Sequence, residues 1–222
     1  LTRYLKDPHR FPKIVQSYVA LGFLEGDFKK ETQVHFPKLA IPEKLRIDTM
    51  NKFNLLAERP SLILAPGAAF GKAKCWPIEY CKEVAEYFIK KGIEVRVIGV
   101  SKDADLGQYL QGHLPKIKNF IGQTSVLEMA ALIDSSDKIL TNDSGPMHVA
   151  AALNKPMIAI FGSSSAVFTP PLSANAQILE RLDVPCRPCF QRECPLKHMH
   201  CLKWITPSQV IDSLENISVS VV

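Results

Sequence analysis

Between residues 61 and 162 the chain alternates short apolar runs with amphipathic stretches, and this rhythm restricts the fold more than any other feature. "SLILAP" (61–66) is an apolar run ending at a breaker, the mark of a buried strand. "PIEYCKEVAEYFIKKG" (77–92) opens with Pro, closes with Gly, and repeats Ile78, Cys81, Val84, Ala85 and Phe88 on one helical face. The same reading gives a strand at 93–100, a helix at 102–114, a short strand at 119–122 and a helix at 125–137 capped by Thr124 or Ser125. A strand at 138–140, a helix at 145–154 and a strand at 156–162 complete the series. Strands and helices joined in turn by short connections predict an α/β fold, a doubly wound parallel sheet with helices on both faces. Ligands of such sheets bind beyond the carboxyl ends of the strands, so the loops after Ala65, Val100, Gly122, Leu140 and Phe161 are where chemistry is expected.

The flanks read differently. Residues 1–60 carry Pro8, Pro12, Pro37, Pro42 and Pro60 and one good helical stretch at 11–24, and are expected to be the remnant of a preceding domain plus a linker. Residues 61–222 form the main domain. After 162 come a loop, a strand near "AQILE", a Cys-rich segment at 186–201 and a last helix, with Thr206 as cap and Pro207 at its first position. Of the 222 residues 46% are hydrophobic and 22% charged, ordinary values for a globular chain, and runs such as 157–161 are far too short to span a bilayer. The opening "LTRYLKDPHRF" lacks the apolar core of a signal peptide. A net charge of +5, spread along the chain, favours anionic partners only weakly. No zinc-finger, helix-turn-helix or RNP pattern accompanies it, so nucleic acid is not an expected partner.

Four loop motifs carry candidate chemistry. "TNDSGPMHVAA" (141–151) packs Asp143, Ser144 and His148 between a strand and a helix. A Ser-His-Asp triad is disfavoured: there is no G-x-S-x-G elbow, and the three residues lie within six positions. If Pro146 opens the helix, Ser144 or Gly145 caps it. The amides of Met147 and His148 then face the crevice together with Asp143, which makes an anion site. In "PGAAFGKAKCWP" (66–77), Gly67 and Gly71 allow close backbone approach and Lys72 and Lys74 add positive charge, but the spacing matches neither G-x-G-x-x-G nor a P-loop. In "IGVSKDAD" (98–105), Gly99, Ser101 and Asp103 could set a carboxylate against a ribose hydroxyl, or merely cap a helix. Finally, Cys186, Cys189, Cys194 and Cys201, with His198 and His200 nearby, are a candidate structural zinc site, although the spacing matches no standard finger and reduced thiols fit as well.

Together, "PGAAFGKAKCWP", "TNDSGPMHVAAALNKPMIAIFGSSS", the following "FTPPL" and "CRPCF…CPLKHMHCL" resemble the bacterial ADP-heptose:lipopolysaccharide heptosyltransferases, glycosyltransferase family 9, and within them the heptosyltransferase II branch. The likeness runs collinearly over about residues 10–216. It implies a Rossmann-like donor domain, the C-terminal half of a GT-B enzyme, and an inverting, metal-independent transfer of heptose from ADP-heptose to the lipopolysaccharide inner core. It places Lys74 on the donor diphosphate as leaving-group stabiliser, and Asp143, Ser144, Gly145 and His148 around sugar and diphosphate. Gly99, Ser101, Asp103 and Met147 fall near the adenosine, and Gly67 is counted among the donor-binding residues. Cys75 stands where relatives often have Arg. The resemblance also implies an acceptor domain upstream of residue 1 that carries the catalytic aspartate base, so these residues alone are expected to bind donor without turnover. It further implies a cytoplasmic location at the inner face of the inner membrane, with peripheral membrane contact. Two other readings compete: a degenerate nucleotide-binding module, and a GT-B transferase for another nucleotide sugar.

Overall fold

A computed structural model describes residues 11–22, 34–55 and 59–217. Its centre is a sheet of six strands: β1 (Ser61–Ala65), β2 (Glu94–Val97), β3 (Lys118–Asn119), β4 (Lys138–Asn142), β5 (Met157–Phe161) and β6 (Ala176–Glu180). Their order is β3-β2-β1-β4-β5-β6 and every neighbouring pair is parallel. The chain therefore builds outward from β1 to one edge, returns, and builds outward from β4 to the other. The loops after β1 and β4 diverge at that reversal and leave a crevice above the strand ends.

Eight helices accompany the strands among the described residues: α1 (Ile14–Ala20), α2 (Glu43–Lys52), α3 (Ile78–Lys90), α4 (Ala104–His113), α5 (Val126–Asp134), α6 (Gly145–Ala152), α7 (His200–Lys203) and α8 (Pro207–Asn216). Alternate residues of the central strands feed two cores. Leu62, Leu64, Val95, Val97 and Leu140 pack with α3 and α8 through Val84, Phe88, Val210 and Leu214. Ile63, Ala65, Ile139 and Ala159 pack on the other face with α5 and α6 through Leu132, Ile133, Met147 and Ala150. Burial of both sheet faces is what the unbroken apolar runs require. Residues before 61 take part as well: Met50 and Leu55 join the second core, Lys52 pairs with Glu128 at 2.6 Å, and Leu39 N–H donates to the Ala152 carbonyl. Ile14 N–H likewise donates to the Phe168 carbonyl, so α1 is tied to the loop after β5.

Local signals explain most boundaries. The Ser125 hydroxyl accepts from Glu128 N–H and opens α5, and Thr206 does the same with Gln209 for α8, both as reciprocal capping boxes. Pro77 is the extended residue before α3 rather than its first helical one. β3 stops at Asn119, short of the expected 119–122 run, because Gly122 turns the chain with φ of 74°. Phe120 and Gly122 still donate to the carbonyls of Val97 and Gly99. Among the described residues no helix is long and apolar enough to cross a membrane.

Candidate functional site

The crevice at the strand ends is a cavity of about 310 Å³. Gly67, Gly99, Ser101, Asp103, Ser144 and Gly145, all singled out from the sequence, line it. Its far wall is the start of α5, from Thr124 to Val126, with Met129 one turn on. The loop after Gly122 was among those where chemistry is expected, but Val126 and Met129 were not picked out; the signal was Val126, an apolar residue in a first helical turn, which is 73% exposed and faces the cavity.

Close packing shapes the floor. A Cβ on Gly67 would lie 2.2 Å from Asp103 Oδ2, and one on Gly99 3.3 Å from the same atom. Two side chains are thus absent where the Asp103 carboxylate enters, and it sits at the mouth of β1 and β2 as expected. The thiol of Cys75 lies 3.7 Å from the Gly71 carbonyl; burial first, then the charge of Asp103, push its pKa up, so it stays a protonated packing group.

A second cluster adjoins the cavity at residues 143–146. Lys74 ends a short 3-10 turn (Lys72–Lys74), and its Nζ lies 2.6 Å from Asp143 Oδ2 at the end of β4. Asp143 is nearly fully buried and also accepts from Thr169 Oγ1 at 3.4 Å. Asn142 sets this geometry: its Oδ1 accepts from Trp76 N–H at 3.1 Å and its Nδ2 donates to the Pro66 carbonyl at 2.7 Å. One buried amide thus ties the loop after β1 to the turn bearing Lys74. Trp76 is itself buried, with Nε1 donating to the Ile205 carbonyl. Neither Asn142 nor Trp76 was picked out from the sequence, where a buried amide and a core indole look like any others. His148 stands one turn into α6; crowding by protein atoms lowers its pKa, Asp143 opposes that shift, and Lys74 adds to it.

Three expectations need correction. Met147 does not face the cavity: its side chain is fully buried in the second core, and its N–H donates to the Ser144 carbonyl at 3.1 Å. The helical phase that puts Ser144, Gly145 and Pro146 at the cavity turns residue 147 inward. Ser144 is the N-cap by position, yet its hydroxyl lies 3.3 Å from Thr141 Oγ1 instead of capping the helix. The zinc site formed by Cys186, Cys189, Cys194 and Cys201 does not materialise. All four are free thiols, and among the described residues no three His, Cys, Asp or Glu side chains converge to hold a metal. Cys201 points into the core from α7. An arginine organises the segment in its place: Arg187 donates to the carbonyls of Gly162 (2.6 Å) and Ser164 (3.0 Å) and to Glu180 Oε2 (2.8 Å). The disfavoured triad stays disfavoured, since the Asp143 carboxylate is engaged by Lys74 and the Ser144 hydroxyl by Thr141.

Residues 1–200 match the family described as Glycosyltransferase family 9 (heptosyltransferase). Lipopolysaccharide heptosyltransferase 2 of Escherichia coli K12 is 35% identical over 217 residues, which cover 94% of this chain and 62% of the relative. Lipooligosaccharide heptosyltransferase 2 of Haemophilus influenzae is 37% identical over 184 residues, covering 78% and 53%. Among solved structures, that of E. coli ADP-heptose lps heptosyltransferase II superposes with a TM-score of 0.84 at 33% identity, covering 96% of this chain and 64% of that one. The chain thus spans less than two thirds of the length of these relatives. With its parallel six-stranded sheet, its strand-end crevice and this sequence likeness, the chain belongs to glycosyltransferase family 9, the heptosyltransferases.

Proposed function

We propose that this chain is the donor-binding part of a heptosyltransferase that moves heptose from ADP-heptose to the lipopolysaccharide inner core, with inversion and without a metal. The carrying observation is the Lys74–Asp143 pair beside a cavity that opens at the ends of β1, β2 and β4. The cavity suits a nucleoside: its wall at Val126 and Met129 is apolar, and Asp103 on its floor can accept from ribose hydroxyls. The diphosphate then extends past Gly67 and Gly145 toward Lys74.

In this reading Lys74 exchanges its carboxylate partner for phosphate oxygens and stabilises the charge that grows on the departing diphosphate. The lowered pKa of His148 favours its neutral form, which can donate a hydrogen bond without bringing a fixed charge. The aspartate that would activate the acceptor hydroxyl belongs, by family likeness, to an acceptor-binding domain facing this one. Action on a lipid-linked acceptor would place the enzyme at the cytoplasmic face of the inner membrane.

Calorimetry tests the assignment. ADP-heptose and ADP are expected to bind, and UDP-sugars to bind far more weakly. A chain that takes UDP-sugars and ignores ADP compounds is not a heptosyltransferase donor domain. Replacing Lys74 with Met and Asp143 with Asn together, which leaves no buried charge stranded, is expected to weaken ADP binding by about 10- to 100-fold, the loss of a charge-assisted phosphate contact. Asp143→Ala that leaves ADP-heptose affinity unchanged counts against the site.

A further inference from the structure

We infer that Arg192 is a second cation for the ligand's phosphate groups, delivered to the site by the Cys-rich segment; this rests on the reading of the site as one for a diphosphate. The ring of Phe70 shows the arrangement. Lys74 Nζ lies 5.0 Å from its centroid and the Arg192 guanidinium carbon 5.4 Å from the same centroid. Two cations from segments more than a hundred residues apart therefore share one aromatic ring at the lip of the site.

The backbone fixes this meeting. The Arg192 carbonyl accepts from Ala73 N–H at 3.0 Å, one residue from Lys74. A Cβ on Gly71 would lie 2.3 Å from that carbonyl oxygen, so the approach needs the glycine. On its other side the segment is pinned by Phe190 N–H donating to the Ser163 carbonyl at 2.8 Å, and by Arg187. The register between the Lys74 turn and Arg192 is thus set independently of the exposed guanidinium.

Charge accounting points the same way. Arg46, Arg96, Arg181 and Arg187 each hold a carboxylate. Among the described residues Arg192 forms no ion pair. Among the described residues its side chain meets the face of Phe70, a weak contact for an exposed cation and readily exchanged. Lys72 lies on the same loop as Phe70 and Lys74, and Lys102, from the turn after β2, donates to the Ala69 carbonyl at 3.0 Å. Of the carboxylates around the site, Asp143 is held by Lys74 and Asp103 lies against Gly67. A planar guanidinium with free donors in a cation-rich loop matches phosphate oxygens, which it can take two at a time.

The test is calorimetry of ADP and of adenosine on the 222-residue chain, wild type and two variants. Arg192→Ala is expected to lower ADP affinity by about 5- to 30-fold while adenosine stays within about twofold, since only the phosphate contact is lost. Arg192→Lys, keeping charge without the fork, is expected to recover part of the loss. The salt dependence of ADP binding should flatten in Arg192→Ala. Unchanged ADP affinity in that variant, or equal losses for ADP and adenosine, overturns the proposal and leaves Arg192 as a staple for the Phe70 loop. A wild-type chain that ignores ADP overturns both this proposal and the donor-site reading, so the two failures are distinguishable.

Discussion

His148 shows how one side chain links the site to pH. Its pKa is lowered from 6.5, chiefly by the protein atoms around it, so the folded chain resists taking up that proton. In the unfolded chain the imidazole protonates at its ordinary value. As pH falls from 6.5 toward the depressed folded pKa, the unfolded state binds more protons, and the stability this neutral histidine contributes is lost. Thermal melts at about pH 7.5 and about pH 5.5 should therefore differ less for His148→Gln than for wild type. A bound diphosphate reverses the local sign: an anion near the ring favours its protonated form. ADP affinity should rise across the same window in wild type and lose that rise in the variant, as calorimetry at the two pH values would show. Much of this residue-scale picture was legible beforehand. Gly67, Gly99, Ser101, Asp103, Ser144 and Gly145 follow strands of a parallel sheet, and position alone nominates them. Met147 was misplaced because the period of α6 decides inward from outward, and its starting phase depends on a cap that the sequence leaves open between Ser144 and Gly145. Asn142 was invisible because its value lies in the two carbonyl and amide partners it meets, which only the folded loops supply.

Among the elements, α8 was the easiest to foresee. Thr206 and Pro207 announce its start, and the Thr206 hydroxyl does accept from Gln209 N–H. Thr206→Ala should cost about 1 kcal/mol in denaturant unfolding, the usual price of an N-cap, without affecting ligand binding. The Cys-rich segment was the hardest. Its cysteines attracted a metal reading, whereas the residue that holds it is an arginine whose partners, the carbonyls of Gly162 and Ser164, cannot be guessed from spacing. Dialysis against a strong chelator should accordingly leave the melting temperature unchanged. Arg187→Ala should instead release the segment, with faster proteolytic cleavage between residues 186 and 194 while α3 and the strands stay resistant; equal cleavage in both proteins would argue that the anchor lies elsewhere.

At the scale of the whole molecule, the alternation from 61 to 162 was enough to predict the sheet, its parallel sense and the end at which the cavity opens. It left two things open. One was the contribution of Met50 and Leu55, which complete the second core from a stretch that reads as linker because its prolines and charges hide two core positions. The other was the Glu94–Arg96 pair on β2, where a fully buried guanidinium meets a carboxylate at 2.7 Å and Ser135 Oγ at 3.1 Å. Removing one partner strands the other, so Arg96→Ala should destabilise the fold by about 3–5 kcal/mol, and exchanging both for apolar residues by much less; urea titrations of the two variants would tell.

The contact between Gly67 and Asp103 has a consequence for how such a chain can change. A single methyl group at position 67 would occupy the space of the Asp103 carboxylate, 2.2 Å away. The two positions are therefore not free to drift separately. Alanine at 67 requires the Asp103 carboxylate to swing off the floor of the cavity, unless 103 has already become small. In a combinatorial library of both positions selected for ADP binding, Asp at 103 should therefore be enriched together with Gly at 67.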